Sequence, residues 1–393
     1  MIKYLGSKRL LIPAILDAVA AVPGARTVLD VFSGTSRVGH ALKRAGYRVI
    51  ACDHAAYAHA LGVCYVQADA QDVLDDAARL VAEFNALPGS PGYFTDTFCV
   101  KSRYIQPFNG ERIDAIREAI ARKGLGPELE GVMLASLIEA ADRVDSTTGV
   151  QMAYLKGWSE RSRRRLELRV PDVLPRAAAG KGRAVRLDAQ RAADELEADV
   201  AYVDPPYNQH SYLGNYHVWE SLTLWDKPEV YGVACKRVDV RERRSVFNSR
   251  PHAAAALRTL LGSLRVRAVV LSFSNEGFIG RDQIEAMLGA LWGGSASVGS
   301  VSTEYPRYVG AKIGIYNPRG EKVGHAGHLS NTETTFLALP GTAPPADLRR
   351  PEHAPDTIAV SADKPLQIDD NRSSAIGTDA RAGKNPVRSP VFG

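Results

Sequence analysis

Apolar and polar positions follow two rhythms along this chain, and the switches between them divide it. Thr27-Val28-Leu29-Asp30-Val31 is a short apolar, strand-like run. A Gly-containing turn follows, Phe32-Ser33-Gly34-Thr35-Ser36, then a helical pattern through Ala45 and a second strand, Tyr47 to Cys52, that stops at Asp53. Strand, turn, helix, strand and acid in these proportions predict a nucleotide-binding βαβ unit. An amphipathic segment, Leu10 to Val22, precedes it and ends near Pro23-Gly24. Beyond about residue 67 the rhythm is helical, at Val73 to Phe84, Ile113 to Lys123 and Leu129 to Val144, with an irregular aromatic stretch, Tyr93 to Cys99, between the first two. Strands resume at Ala184 to Asp188, Val200 to Val203, Ala268 to Ser272 and Thr334 to Leu339, with helices at Gln190 to Glu197, Tyr216 to Glu220 and Asp282 to Leu291. Tyr305-Pro306-Arg307-Tyr308 and Gly314 to Gly320 suggest a hairpin with basic edges. The pattern predicts an α/β fold: a Rossmann-like sheet from residues 1–66 and 183–340, and a mainly helical insertion over 67–182. Past Pro340 the chain turns to Pro, Ala, Ser and Asp with few large apolar groups, which predicts a disordered tail over 341–393.

Composition narrows the class. With 45% hydrophobic and 24% charged residues in a chain of 393, this is an ordinary globular composition. No apolar run approaches membrane-spanning length, and Met1-Ile2-Lys3-Tyr4 lacks the apolar core of a signal peptide, so a cytoplasmic protein without a membrane partner is expected. The four cysteines form no CxxC pair, which fits a reducing compartment. Cys52, His54, His59 and Cys64 crowd together, but on a strand Cys52 faces away from Asp53 and the spacing is not that of a zinc finger, so no metal is expected. No cysteine follows a proline, which removes the nucleophile of enzymes that methylate the cytosine ring.

The net charge of +5 is modest but uneven. Arg161, Arg163, Arg164, Arg165 and Arg169 crowd one stretch; Lys236, Arg237, Arg241, Arg243, Arg244 and Arg250 crowd another. Such clusters suit a polyanion, and the alternative is a solvated face balanced by acids.

The candidate chemistry gathers at Asp204-Pro205-Pro206-Tyr207, directly after the strand Val200 to Val203. That position puts a carboxylate at the carboxyl end of a buried strand, where open α/β sheets build their sites. Two prolines stiffen the turn and remove two N–H donors, so nearby carbonyls point outward as acceptors. Asp204 and a proline carbonyl could hold a planar amino group with the Tyr207 ring stacked on its heterocycle, and an exocyclic amine of a base is the natural guest. At the first turn, Gly34-x-Ser36-x-x-Gly39 lacks the middle glycine that lets backbone approach a pyrophosphate. A dinucleotide is thereby disfavoured relative to S-adenosylmethionine, while Asp53 would accept the ribose hydroxyls of either. Gly6-Ser7-Lys8 ahead of a helix would aim N–H groups and an ammonium at an anion, and a helix cap would look the same. Asp188 could bind an adenine amine or cap the helix that follows it.

In order and spacing these stretches resemble the DNA adenine-N6 methyltransferases of the Dam-like group, over residues 1–60 and 183–340. Lys3-Tyr4-Leu5-Gly6-Ser7-Lys8 is similar to the family's amino-terminal cofactor motif, Asp30-Val31-Phe32-Ser33-Gly34-Thr35 to its methyl-donor loop, Asp53 to its ribose acid and Asp204-Pro205-Pro206-Tyr207 to its catalytic motif. Ser36 stands where glycine is commoner. The resemblance implies a class I methyltransferase sheet and S-adenosylmethionine as cofactor, bound by Tyr4, Gly6, Lys8, Asp30, Phe32, Gly34, Asp53 and Asp188. It implies catalysis by Asp204, Pro205, Pro206 and Tyr207 on a flipped adenine of duplex DNA. The insertion stands where the family carries its target-recognition region, which makes Arg161, Arg163, Arg164, Arg165, Lys236, Arg237, Arg243 and Arg244 candidate DNA contacts. A cognate restriction endonuclease is the partner where such an enzyme forms half of a restriction system. The same tetrapeptide would serve a cytosine N4, an RNA base or a glutamine amide, and a non-catalytic nucleic-acid-binding protein on this scaffold is the reading from a different class.

Overall fold

A computed structural model describes residues 2–306 except 148, 153 and 156, together with 315–316, 322–324 and 330–341. Seven strands form one sheet: β1 Thr27–Asp30, β2 Arg48–Cys52, β3 Arg183–Val185, β4 Val200–Val203, β5 Ala268–Ser274, β6 Ala296–Pro306 and β7 Ser330–Pro340. Their order is β3-β2-β1-β4-β5-β7-β6. β3 through β5 pair in parallel, and β7 runs antiparallel between β5 and β6. This is the expected α/β sheet, and its strand order and single reversed strand are those of a class I methyltransferase fold. β4 and β5 are buried at every position, as parallel strands covered on both faces must be.

Register places the chemistry. Asp30, the last residue of β1, pairs with Ala51 of β2 and Tyr202 of β4, so Asp30, Asp53 and Asp204 all stand at the carboxyl edge of the sheet. The chain goes from β1 to β2 on one side, while β4 lies on the other, so this edge is the topological switch point at which open sheets hold ligands. Because β7 runs the other way, its early residue Glu333 lies opposite Ser274, at the same end of the sheet.

Helices α1 Ile12–Ala20 and α2 Arg37–Arg44 cover one face of the sheet. The insertion folds as α3 Ala56–Gly62, α4 Ala70–Ala86, α5 Pro107–Lys123 and α6 Pro127–Arg143, with a π-helical turn, Thr95–Lys101, in the aromatic stretch. Its apolar faces share a core with Ile2, Tyr57, Tyr216 and Trp219, so the inserted helices pack onto the site's own walls. Among the elements absent from the sequence reading are α3, the helix Arg250–Ser263 and β6. The helix Arg250–Ser263 was hidden by the basic run before it, and β6 offers only Val298 and Val301 among small and polar residues. Ile315–Tyr316 pairs with Lys322–Gly324, while Arg307, Tyr308 and Arg319 of the expected hairpin, and the 342–393 part of the expected disordered tail, lie outside the described residues.

Candidate active site

A cleft opens at the carboxyl edge, with about 820 Å³ of space including the open solvent at its mouth. Tyr4, Gly6, Phe32, Gly34, Asp53, Asp188, Asp204 and Pro206 all line it, so the sequence candidates from five separate stretches converge. An adjoining recess shares Tyr4, Gly6, Phe32, Gly34 and Asp204 and adds Lys8 and Asp30.

Close approach explains the glycines. Gly34 has φ +50°, and a Cβ there would stand 3.3 Å from the Tyr4 ring; Gly6 has φ +69°, and a Cβ there would stand 2.8 Å from the Tyr212 hydroxyl. The Gly34 N–H donates to Asp53 Oδ2 at 3.0 Å, and the Ala55 N–H donates to Oδ1 at 2.9 Å, which fixes the carboxylate at the mouth of the turn. Ser36 adopts φ +55°, the left-handed conformation that glycine prefers, which costs a side chain about 1–2 kcal/mol. Tyr4 lies between two rings, with centroids 4.5 Å from Tyr216 and 5.3 Å from Tyr212, and its hydroxyl meets that of Tyr57 at 3.0 Å. Phe32 meets Phe247 edge-on at 5.2 Å on the opposite wall. Asp188 caps the helix Ala189–Glu195, its Oδ1 accepting from the Gln190 N–H at 2.9 Å, and the residue also borders the cleft.

Beneath the cleft is a buried charge triad. Lys8 Nζ lies 2.9 Å from Asp204 Oδ1 and also contacts Glu333 Oε1, with Lys8 and Glu333 only 5% and 3% exposed. Burial alone lowers the Lys8 ammonium, but Asp204 and Glu333 outweigh it and hold it well above its ordinary value. Burial raises the Asp204 carboxyl; Lys8 pulls it down and Glu333 pushes it up, leaving it near about 6. Lys8 was expected among the cofactor ligands, yet the structure turns its ammonium to Asp204. Glu333 was not foreseen; its only sequence signal is an acid inside a strand otherwise buried.

Asp30 makes a different demand. The Gly39 amide approaches the carboxylate, but neither oxygen makes a full hydrogen bond among the described residues. Burial raises its carboxyl well above the usual range, with Asp204 and Asp53 adding to the rise and the Gly39 amide opposing it. A buried carboxyl without a full partner is costly to the folded chain, and Asp30 borders the recess. Tyr207 sits edge-on to Phe273 at 6.0 Å, its carbonyl accepting from the Phe278 N–H at 2.8 Å, while Pro205 is buried and Pro206 faces the cleft.

A family model described as D12 class N6 adenine-specific DNA methyltransferase matches residues 4–273, well over half of the chain. The chain belongs to this family. Membership implies a methyl donor. The chain is 28% identical over 305 residues to the type II methyltransferase M.FokI of Planomicrobium okeanokoites, covering 73% of this chain and 46% of that protein. It is 28% identical over 302 residues to the modification methylase StsI of Streptococcus sanguinis, with the same coverages of 73% and 46%. The chain therefore spans about half the length of these two relatives. Against the type II methyltransferase M.NlaIII of Neisseria lactamica it is 26% identical over 349 residues, covering 86% of this chain and 98% of that protein.

The expected DNA contacts divide. Arg237, with a side chain 3% exposed, spends its guanidinium on Asp226 and Asp239, so it is a structural residue with nothing left for a phosphate. Arg161 is tied to Asp145 and to the carbonyls of Asp145 and Thr147. Arg243 is tied to Glu220 at 2.9 Å and Asp239 at 3.2 Å, on the wall of the cleft. These three correct the sequence reading, which saw the arginines but not the acids that fold against them. Arg163, Arg164, Arg165 and Arg244 are exposed and Lys236 half-buried, and they keep the capacity to meet a polyanion. No described helix is long and apolar enough to cross a membrane.

Proposed function

We propose that the chain transfers a methyl group from S-adenosylmethionine to the N6 amine of a flipped-out adenine in duplex DNA. The observation that carries this reading is Asp204 at the end of β4, held by Lys8 at 2.9 Å at the junction of a ligand cleft and a recess with an unpaired acid. S-adenosylmethionine, when bound, supplies an electrophilic sulfonium methyl. Its positive charges match the demand of Asp30, its ribose hydroxyls match the free lone pairs of Asp53, and Phe32 and Asp188 stand where a purine ring and its amine need an apolar face and an acceptor.

The chain's own groups do the rest. The adenine N6 lone pair is delocalised into the ring and nucleophilic only when its hydrogens are drawn out of conjugation. Asp204 accepts one hydrogen and the Pro205 carbonyl the other, biasing the nitrogen toward tetrahedral geometry. Asp204, with its carboxyl near about 6, then takes the proton that N6 sheds and passes it to solvent. Lys8 keeps the carboxylate ionised and aimed, and positioning and electrostatics supply the rate. A base within a duplex cannot reach this pocket, so it is extruded, and Tyr207 replaces lost stacking at about 1–3 kcal/mol.

Mass spectrometry of nucleosides from plasmid DNA of cells expressing the chain tests the reading. N6-methyladenine above that of cells expressing Asp204→Ala is expected, and equal levels contradict it. Asp53→Ala is expected to weaken S-adenosylmethionine about 10–100-fold, the scale of losing a hydrogen bond to a charged group; an unaltered calorimetric titration refutes that placement. An ionised carboxylate accepts hydrogens more strongly than a protonated carboxyl and can take the N6 proton only in that form, and protonation grows as pH falls through about 6. The rate kcat/KM is therefore expected to be level above that pH and to fall about tenfold per unit below it, and a flat profile down to pH 5 removes Asp204 as the titrating acceptor. A DNA substrate puts the protein in the cytoplasm, and a cognate endonuclease is its partner under a restriction-modification reading.

A further inference from the structure

A wide cleft opens between α2 and the insertion, lined by basic residues that lie, Arg169 apart, outside the two expected basic stretches. Arg9, Arg37 and Arg44 line one wall, and Arg143 and Arg169 line the other, with Glu139 and Asp172 between them. The two acids are already engaged: Asp172 holds Arg44 at 2.7 Å, and Glu139 accepts from the Tyr65 hydroxyl and lies 4.0 Å from Arg143. Arg9, Arg37 and Arg169 have no carboxylate partner among the described residues, and Arg37 Nε is buried without an acceptor. Like charges also face one another. Burial and then Arg9 lower the affinity of Arg37 for its proton, and burial and then Arg169 do the same to Arg143. Crowded cations without counter-charges destabilise the folded chain unless an anion meets them. The cleft holds about 1610 Å³ of open space, roughly twice that of the cofactor cleft, so it suits the edge of a polymer better than a small ligand. Arg37 also lines the recess beside Asp204 and Lys8, so this residue borders both spaces.

We propose that this cleft, with Arg9, Arg37, Arg143 and Arg169, is the track for the phosphate backbone of duplex DNA that flanks the target base. The assignment rests on the DNA-methylating reading above. It shares the backbone contacts between the catalytic part and the insertion, so one stretch of duplex would bridge the two at the pocket's edge. Guanidinium forks suit phosphate oxygens, and contacts of this kind set register and affinity without reading sequence.

The test uses the full chain carrying Arg9→Gln and Arg169→Gln together, two exposed side chains away from the acceptor groups. Binding of an unmethylated duplex is measured between 50 and 200 mM salt. Each lost phosphate contact lowers the slope of log affinity against log salt by about 0.9, so two lower it by about 1.8. Wild type should then lose about tenfold more affinity than the variant over this fourfold rise in salt. The paired lysine variant should keep the wild-type slope, and S-adenosylmethionine binding and kcat at saturating DNA should not change. A slope equal to wild type in the glutamine variant overturns the track. Wild type that binds the duplex with a steep slope but transfers no methyl group refutes the reaction assigned above, and the variant's slope still decides the cleft.

Discussion

Asp204→Ala is expected to lower methyl transfer by about 10²–10³-fold while S-adenosylmethionine binds as before. The estimate is the loss found when one preorganised group is removed from a developing charge. The carboxylate stands at the junction of the two spaces, so its removal strips the proposed acceptor from the amine without touching Phe32, Asp53 and Asp188 of the cleft. A split of this kind, with kcat falling and the cofactor dissociation constant unchanged, separates a group that acts on the substrate from one that holds the fold. Transfer at wild-type rate removes Asp204 from the chemistry.

Lys8→Met is expected to be nearly as damaging, by another route. Lys8 is the only cation that contacts Asp204 and Glu333 among the described residues, and it is almost fully buried. Without it two carboxylates face each other inside the protein, and removing one partner of a buried pair costs about 3–5 kcal/mol. The side chains limit this cost by taking up a proton. The Asp204 carboxyl then titrates above about 6, so at pH 7 a larger share is protonated and unable to take the proton of the amine. The expected outcome is a lower urea midpoint at neutral pH and an acid limb of kcat/KM moved up by one pH unit or more. An unmoved limb in a folded variant shows that Lys8 does not tune Asp204.

The sequence reading reached the site where local pattern and local chemistry coincide. The Thr27–Asp30 strand, its glycine turn and Asp53 announce themselves within about 25 residues, and a change of hydrophobic period marks each boundary. Asp204 was legible because a buried strand ends on it. Glu333 was not, since its partner Lys8 stands at the other end of the chain and meets it only because β7 is reversed. The basic residues show the same limit twice. Arg237 and Arg243 look like a patch in the sequence, yet Asp226, Asp239 and Glu220 fold against them. Arg9, Arg37 and Arg143 lie far apart in the sequence, and only tertiary packing gathers them into one cleft. β6 escaped notice because an edge strand needs little apolar surface.

The central claim is the reaction, and transfer of a labelled methyl group from S-adenosylmethionine to unmethylated mixed-sequence duplex DNA tests it most directly. The digested nucleosides are separated, and Asp204→Ala is run alongside. Label in N6-methyladenine that disappears in the variant is the expected result. Absence of label from the DNA, in a protein that demonstrably binds S-adenosylmethionine, contradicts it.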